Sequence, residues 1–199
     1  MSEPSSSSGT AAPRNPRQEI LDAAAALLGE GGEAGLTIRR LALRSGYTSP
    51  AIYQEFGDKA GLLDAVLARA IETLAVRLDN LSPSANARAT MRTHFREIVR
   101  FGREHPTHYR LMEALQPEEI APFPNAEAMQ EKIERPIVEV AESDDQAELI
   151  RQALWALLHG LIGLPTSRPD VAWCENLDDV ALDAMLSGLV GREESAERS

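Results

Sequence analysis

The sequence predicts an all-α protein in which an N-terminal three-helix head is joined by a long helix to a larger C-terminal helical body. Three observations predict this fold class. Apolar residues recur at helical spacing through most of the chain. No segment shows the alternation or the strand-turn-strand spacing of β-structure. In residues 36–59, Ser, Thr, Gly and Pro stand at the positions that begin and end short helices.

The two central short helices of the head follow from their capping residues. Thr37 can cap the first of them, and Gly46 supplies the left-handed residue that ends it. Thr48 caps the second helix, from which Ile52 and Phe56 point to the core. This leaves a polar outer face on a compact helix, a shape that can enter the major groove of DNA.

The remaining helices follow from apolar periodicity and from breaks at Pro and Gly. The first helix starts at Asn15 and ends in a Gly-rich stretch, and the fourth runs from Asp58 to a break at residues 82–84. A loop is expected at 117–124 because it holds three prolines. The body helices are predicted at 85–103, 107–115, 126–142 (kinked or divided by Pro136), 144–164 (ended by Pro165) and 177–190.

Composition bounds the location and the organisation of the chain. Its 199 residues are 43% apolar, enough for a sizeable core, and no apolar run approaches the ~20 residues that span a bilayer. A single cysteine, Cys174, excludes an internal disulfide and suits a cytoplasmic location without membrane contact. We expect disordered tails at 1–13 and 191–199, a helix-turn-helix DNA-binding domain at 14–60, and a ligand-binding and dimerisation domain at 61–190.

The negative charge of the chain lies mostly outside the predicted DNA-binding domain. The net charge is −11, but residues 14–60 carry six basic and six acidic residues. Residues 61–199 carry 14 basic and 24 acidic residues. The acidic balance of the whole chain is therefore compatible with a DNA-binding head whose affinity depends on salt.

The head resembles the TetR family of bacterial transcriptional repressors. The resemblance rests on the segments RQEILDAAAALLGEGG, Thr37-Ile38-Arg39 with Leu41-Ala42, Gly46-Tyr47-Thr48, Ile52-Tyr53-x-x-Phe56, and Lys59 with Gly61-Leu62-Leu63. In the body, the run LWALLHGL at 154–161 and the run HPTHYRLM at 105–112 resemble a C-terminal type of that family named for Trp, His and Gly. The resemblance implies a homodimer in which the last two long helices pair with those of a second subunit.

The polar outer face and the resemblance together give the expected DNA-binding residues: Thr37, Arg39, Arg40, Thr48, Ser49, Pro50, Ala51, Tyr53, Gln54 and Lys59. Tyr53 can reach a phosphate or brace its helix, and both interpretations stay open. Glu55 departs from the family pattern. It is expected to pair with Arg44 or Lys59, or to accept from a cytosine amino group.

Two further residue groups are expected in the body. Candidates for an effector cavity are Phe95, Phe101, Tyr109, Met112, Met129, Trp155 and His159, each of which is also an ordinary core residue. Candidates for the dimer interface are Leu154, Leu157, Leu158, Leu161, Leu182, Met185, Leu186 and Leu189. No metal site or cofactor is expected, because His105 and His108 lack a third ligand nearby.

The sequence therefore predicts a ligand-responsive repressor that binds a pseudo-palindromic operator as a homodimer and is released by a small-molecule inducer. The alternative is a helical partner-binding protein whose head has weakened DNA affinity, which the net-neutral head and Glu55 leave open. An enzyme is not expected, since the sequence offers no nucleophile elbow, HExxH or Glu-x-x-His pattern.

Overall fold

The computed structural model describes residues 15–115 and 117–190, without the side chains of residues 117 and 118. All regular structure in these ranges is helical, which confirms the predicted fold class. The segments are α1 Pro16–Gly35, α2 Ile38–Ser45, α3 Ser49–Phe56, α4 Lys59–Asp79, α5 Ala87–Glu104, α6 Pro106–Glu113, α7 Pro117–Ile120, α8 Ala126–Val140, α9 Asp144–Ser167 and α10 Leu177–Leu189.

The chain divides after Ala65 into two compact units, here called the N-terminal unit and the C-terminal unit. The domain assignments at 14–60 and 61–190 stay predictions, and the two expected disordered tails lie outside the described residues. No helix in the described ranges has both the length and the apolar character needed to cross a membrane.

The N-terminal unit is a bundle of α1, α2, α3 and the start of α4. Its α1 begins as expected, with the Asn15 side chain accepting from the Gln18 amide at 3.3 Å. Gly31 and Gly32 have non-helical backbone angles, so the helix is interrupted where its Gly-rich exit was predicted and resumes for one turn. The buried core consists of Ile20, Leu21, Ala23, Ala24, Leu27, Leu28, Leu36, Leu41, Ile52, Phe56 and Leu62.

In the C-terminal unit, α5 contributes to two hydrophobic clusters. Its Met91, Phe95 and Val99 pack with residues of α8, α9 and α10. Its Ile98 and Phe101 pack instead with α4 and with Met129 of α8. The helix is thus buried along most of its apolar side, and it positions the residues around the cavity described below.

Two prolines lie inside helices. The sequence predicted that Pro136 would kink or divide its helix and that Pro165 would end its helix. A proline has no N–H to donate to the carbonyl four residues earlier. In α8, Pro136 frees the Lys132 carbonyl, which accepts from His94 Nδ1 at 3.1 Å. In α9, Pro165 frees the Leu161 carbonyl, which accepts from the Arg103 guanidinium at 3.1 and 3.3 Å. Donors from α5 therefore compensate both prolines; α8 stays undivided and α9 continues to Ser167.

The predicted loop at 117–124 was partly wrong, because Pro117–Ile120 forms one short helical turn. Proline is tolerated at the first position of a helix, where its missing N–H would have no partner in any case. The other predicted body helices are present, with ends shifted by one to three residues.

Salt bridges connect α5 to α10 along one side. Arg92 pairs with Asp183 at 2.5 Å, Arg103 pairs with Asp178 at 2.7 Å, and Arg96 pairs with Asp179 between them. Exposed pairs of this kind contribute up to about 1 kcal/mol each. Their small contribution to stability leaves them mainly the role of aligning α10 along α5.

Candidate nucleic-acid interface and ligand cavity

The turn between α2 and α3 is fixed by the predicted caps. Thr37 Oγ1 accepts from the Arg40 amide at 3.2 Å, and Thr48 Oγ1 accepts from the Ala51 amide at 3.3 Å. Gly46 has φ 77° and donates its amide to the Ala42 carbonyl at 3.0 Å. A residue with a side chain rarely adopts this left-handed conformation, so glycine allows α2 to end and α3 to start within three residues.

One side of α3 is anchored in the core and the other faces outward. Ile52 and Phe56 are buried, as predicted. The outward side presents Thr48, Pro50, Tyr53 and Gln54 as exposed residues, while Ser49 and Ala51 are half-buried beside them. Tyr53 is 49% exposed, so it packs partly against its own unit and still presents a surface to solvent.

Of the three cations expected at DNA, Arg39 alone is left without a partner among the described residues. Its side chain is exposed on the first turn of α2. Arg40 donates to the Gly35 carbonyl at 2.7 Å and lies 3.8 Å from Glu30. Lys59 donates to the Glu33 carbonyl at 3.0 Å. Arg40 therefore ties α2, and Lys59 ties α4, to the C-terminal end of α1.

The expected pairing of Glu55 with Arg44 or Lys59 was wrong, whereas its contact with a cytosine stays a prediction. Glu55 pairs with Arg17 of α1 at 2.8 Å, and the Arg17 guanidinium also lies 4.9 Å from the centre of the Phe56 ring. Arg44 pairs with Glu30 instead. Glu55 is thus neutralised by a residue near the start of α1, and it ties α3 to that helix.

Sequence analysis missed a contact that holds the turn in place. The Tyr47 hydroxyl donates to Glu19 of α1 at 2.6 Å. Tyr47 lies in the loop between α2 and α3, so this bond joins the turn to the first helix. The half-buried aromatic residue directly after Gly46 was the available signal for such a contact.

A cavity of about 270 Å³, partly open to solvent beside the exposed Trp155, lies in the C-terminal unit between α4, α5, α6, α8 and α9. Five of the predicted cavity residues line it: Phe95, Tyr109, Met112, Met129 and Trp155. Phe101 does not, because it is fully buried in the cluster with α4. Three further lining residues, His94, Glu134 and Arg151, were not predicted, and they bring polar groups to an otherwise apolar wall.

The charged groups of the cavity wall neutralise each other. Arg151 Nε lies 3.0 Å from both carboxylate oxygens of Glu134, and its Nη1 pairs with Glu148. The hydrogen bonds that Arg151 donates to Glu134 raise the pKa of the guanidinium above its ordinary value. The guanidinium thus remains charged and is already held by two carboxylates.

His159 lies outside this cavity, contrary to prediction. Its Nδ1 donates to the Trp155 carbonyl at 2.8 Å, and its Nε2 lies 2.7 Å from Glu113. It lines a separate cavity between α6 and α9. Tyr109 lines both cavities, and its hydroxyl is 3.4 Å from His159 Nδ1.

Two histidines of the C-terminal unit are expected to make stability depend on pH. Burial, with nearby Arg135 and Lys132, lowers the pKa of His94 below 6.5. Burial, with Arg77, lowers the pKa of His105 likewise. A folded-state pKa below the unfolded value means that the unfolded chain binds protons first on acidification. The free energy of unfolding should therefore decrease as the pH falls through 6.5.

Urea unfolding between about pH 7.5 and about pH 5.5 checks this expectation. The doubly substituted protein His94→Asn, His105→Gln keeps an amide donor for Lys132 and an acceptor for Arg77, but it has no titrating ring at either position. Its stability should change less over this range. An equal slope in both proteins would contradict the assignment.

Four of the predicted dimer-interface residues were wrong. Leu154, Leu161, Leu182 and Leu186 are buried in the chain's own core, so they cannot contact a second copy. The other four, Leu157, Leu158, Met185 and Leu189, are half-buried against the same cluster. Different apolar or small residues face outward, namely Leu149, Trp155, Ala156, Gly163 and Leu164 on α9 and Val180, Ala184 and Gly188 on α10.

The geometry of the N-terminal unit defines the class of protein. Two short helices, α2 and α3, are joined by a three-residue turn. One side of α3 is anchored in the core, and the other is polar and exposed. This arrangement is a helix-turn-helix of the kind that places its second helix in the major groove. Among the described residues, no group of three His, Cys, Asp or Glu side chains could hold a metal ion.

Comparisons with known proteins agree with this class. Residues 20–66 match the family model described as "Bacterial regulatory proteins, tetR family", and residues 91–189 match "Tetracyclin repressor-like, C-terminal domain". The tetracycline repressor protein class D of Escherichia coli is 42% identical over 69 residues, 35% of this chain and 30% of that protein. The chain thus aligns with less than a third of the length of this curated relative.

Solved structures share the fold. A TetR family transcription regulator from Marinobacter aquaeolei VT8 has a TM-score of 0.69 and 17% identity, covering 89% of this chain and 96% of that one. BioQ with its double-stranded DNA operator has a TM-score of 0.58 and 20% identity, covering 88% and 98%. The chain belongs to the TetR family of bacterial regulatory proteins. The Trp-His-Gly type of its C-terminal domain stays a prediction.

Proposed function

We propose that the chain is a transcriptional repressor that binds a pseudo-palindromic DNA operator as a homodimer and leaves it when a small molecule occupies the cavity. The observation that carries this proposal is the outward side of α3, which presents Thr48, Pro50, Tyr53 and Gln54, together with the exposed Arg39 of α2, which has no partner among the described residues. Polar side chains on a rigid helix can read base edges, and a nearby arginine can bind the phosphates.

Electrophoretic shift and footprinting with the DNA upstream of the chain's own gene test the proposal. A repressor of this kind protects two half-sites about one helical turn (~34 Å) apart. Absence of a specific complex at low salt would contradict it and would favour the partner-binding alternative. That alternative has structural support, because Arg17, Arg40, Arg44 and Lys59 are all engaged within the N-terminal unit.

The outward apolar stripes of α9 and α10 support a homodimer. Ala156 and Ala184 are small and exposed, so helices of a second copy can approach closely there. We expect Ala156→Arg or Ala184→Arg to convert the dimer to a monomer of 21.7 kDa, because each places a charge in the buried contact.

Light scattering after size exclusion measures the mass in each case. The control is Glu131→Arg on α8, which is exposed and lies outside both stripes. It should leave the dimer intact. A monomeric unsubstituted chain would contradict the homodimer. Dimers of all three variants would show that the stripes are not the interface.

The cavity supports release by a small molecule. Leu74 of α4 and Phe95 of α5 both line it, so an occupant contacts two helices of the C-terminal unit at once. A ligand can shift the protein between DNA-binding and non-binding states only by binding one of them better. Operator release should therefore follow cavity occupancy.

A further inference from the structure

We propose that the effector is an uncharged, compact and largely hydrocarbon molecule of about ten non-hydrogen atoms that carries a single hydroxyl group. This inference rests on the proposed function, since it names the chemical class of the ligand that the cavity takes. Size, charge and polar groups of the wall each contribute to it.

The size follows from the cavity volume. The cavity measures about 270 Å³, at the small end of the ~300–1,000 Å³ typical of ligand pockets. One water molecule takes ~30 Å³ in the liquid, so the space corresponds to on the order of ten non-hydrogen atoms. The core side chains Met91, Phe95, Met129 and Ile137 form a buried inner wall, so a ligand that fills the cavity without repacking this wall can extend further only past the exposed Trp155 into solvent.

The absence of charge follows from the Glu134–Arg151 pair. Arg151 is the cation of the wall, and it is engaged by Glu134 and by Glu148. An anionic ligand would have to displace one carboxylate while facing the other. A cationic ligand would find Glu134 already paired with Arg151. Either charge would lose hydration without gaining a free partner, whereas an uncharged ligand avoids this cost.

The single hydroxyl follows from two lining residues with spare hydrogen-bonding capacity. His94 Nδ1 donates to the Lys132 carbonyl, and its lowered pKa keeps the ring neutral at pH 7, which leaves Nε2 as an acceptor. His159 Nδ1 uses its hydrogen for the Trp155 carbonyl, so it does not accept the hydroxyl hydrogen of Tyr109. Burial raises the pKa of Tyr109, which keeps that hydrogen in place. A single ligand hydroxyl can donate to Nε2 of His94 and accept from the hydroxyl of Tyr109.

Calorimetry on the full chain with four probes of similar shape tests the class directly. The probes are 4-ethylphenol, 4-ethyltoluene, 4-ethylbenzoate and 4-ethylbenzylamine. We expect 4-ethylphenol to bind at least about tenfold more tightly than the two charged probes, and several-fold more tightly than 4-ethyltoluene, which lacks the hydroxyl. A charged probe that binds as tightly as the phenol, or no binding of the phenol, would overturn the proposal.

A matched pair of variants on α8 locates the binding. Ile133→Trp fills the cavity from its wall, whereas Glu131→Trp adds the same ring at an exposed position two residues away. Phenol binding should be lost in the first protein and kept in the second. If Ile133→Trp does not fold, Tyr109→Phe replaces it and should weaken 4-ethylphenol while leaving 4-ethyltoluene unchanged. Binding of the phenol that neither Ile133→Trp nor Tyr109→Phe weakens would place it elsewhere and overturn the inference.

Failure of the inference and failure of the proposed function are separable. Calorimetry requires no DNA, so it tests the ligand class even if the chain binds no operator. If 4-ethylphenol binds in the cavity but does not release the operator, the ligand class stands and release by the cavity ligand is wrong. If the operator is bound but the cavity prefers a charged probe, the ligand class is wrong and the DNA-binding function stands.

Discussion

Replacing Arg39 by glutamine is expected to weaken operator binding by about a hundredfold at ~0.1 M salt. Arg39 is exposed, and no described residue engages its guanidinium. One phosphate contact contributes about 0.9 to the slope of log K against log salt, and a dimer carries two copies of the residue. The slope should therefore become shallower by about two. Fluorescence anisotropy over a salt series measures both quantities.

The control for this prediction is Arg135→Gln. Arg135 is 65% exposed on α8 and pairs only loosely with Glu139 at 3.6 Å. Its replacement removes the same charge from the chain, so it corrects for any effect of net charge. Equal affinity and slope in the Arg39→Gln protein and the unsubstituted chain would show that Arg39 does not contact phosphates.

Replacing Gly61 by alanine is expected to destabilise the N-terminal unit by about 2 kcal/mol. Alanine is normally the better helix residue by about 1 kcal/mol. At this position, however, an added Cβ would lie 2.2 Å from the Phe56 carbonyl oxygen, a backbone atom that cannot rotate away. The clash outweighs the helix preference, because α3 and α4 must move apart to relieve it.

Hydrogen exchange of the α2–α3 amides measures this effect, because both tryptophans, Trp155 and Trp173, lie in the C-terminal unit and do not report on the N-terminal one. Loss of about 2 kcal/mol corresponds to roughly thirtyfold faster exchange. The neighbouring Ala60→Gly should also destabilise, but by at most about 1 kcal/mol. Slower exchange in Gly61→Ala would contradict the expected clash.

The N-terminal unit was largely predictable because its structure is encoded locally. Thr37, Gly46, Thr48 and Asp58 act within four residues of themselves, so the sequence shows what each one does. The pairing of Glu55 with Arg17 was not predictable in this way. It depends on how α1 lies against α3, and other basic residues are closer in sequence.

The C-terminal unit was less predictable because its decisive contacts are distant in sequence. Pro165 should end α9 by local rules, yet Arg103 of α5 supplies the donors for the freed Leu161 carbonyl. The apolar periodicity of α9 likewise does not distinguish a side that packs within the chain from one that meets a second copy. Leu154 and Leu161 belong to the first kind, and Ala156 and Leu164 face outward.

DNA cleavage directed from α3 tests whether this helix lies in the major groove of the operator. The one cysteine, Cys174, is exposed and can be replaced by serine, after which Gln54→Cys carries an iron chelate on the outward side of α3. If α3 of each subunit enters a major groove, strand cleavage will occur in two clusters on the operator, centred in major grooves about one helical turn apart. Glu131→Cys in the same background should give neither cluster. Operator binding without cleavage from position 54, or cleavage equal to that from position 131, would contradict this placement of α3.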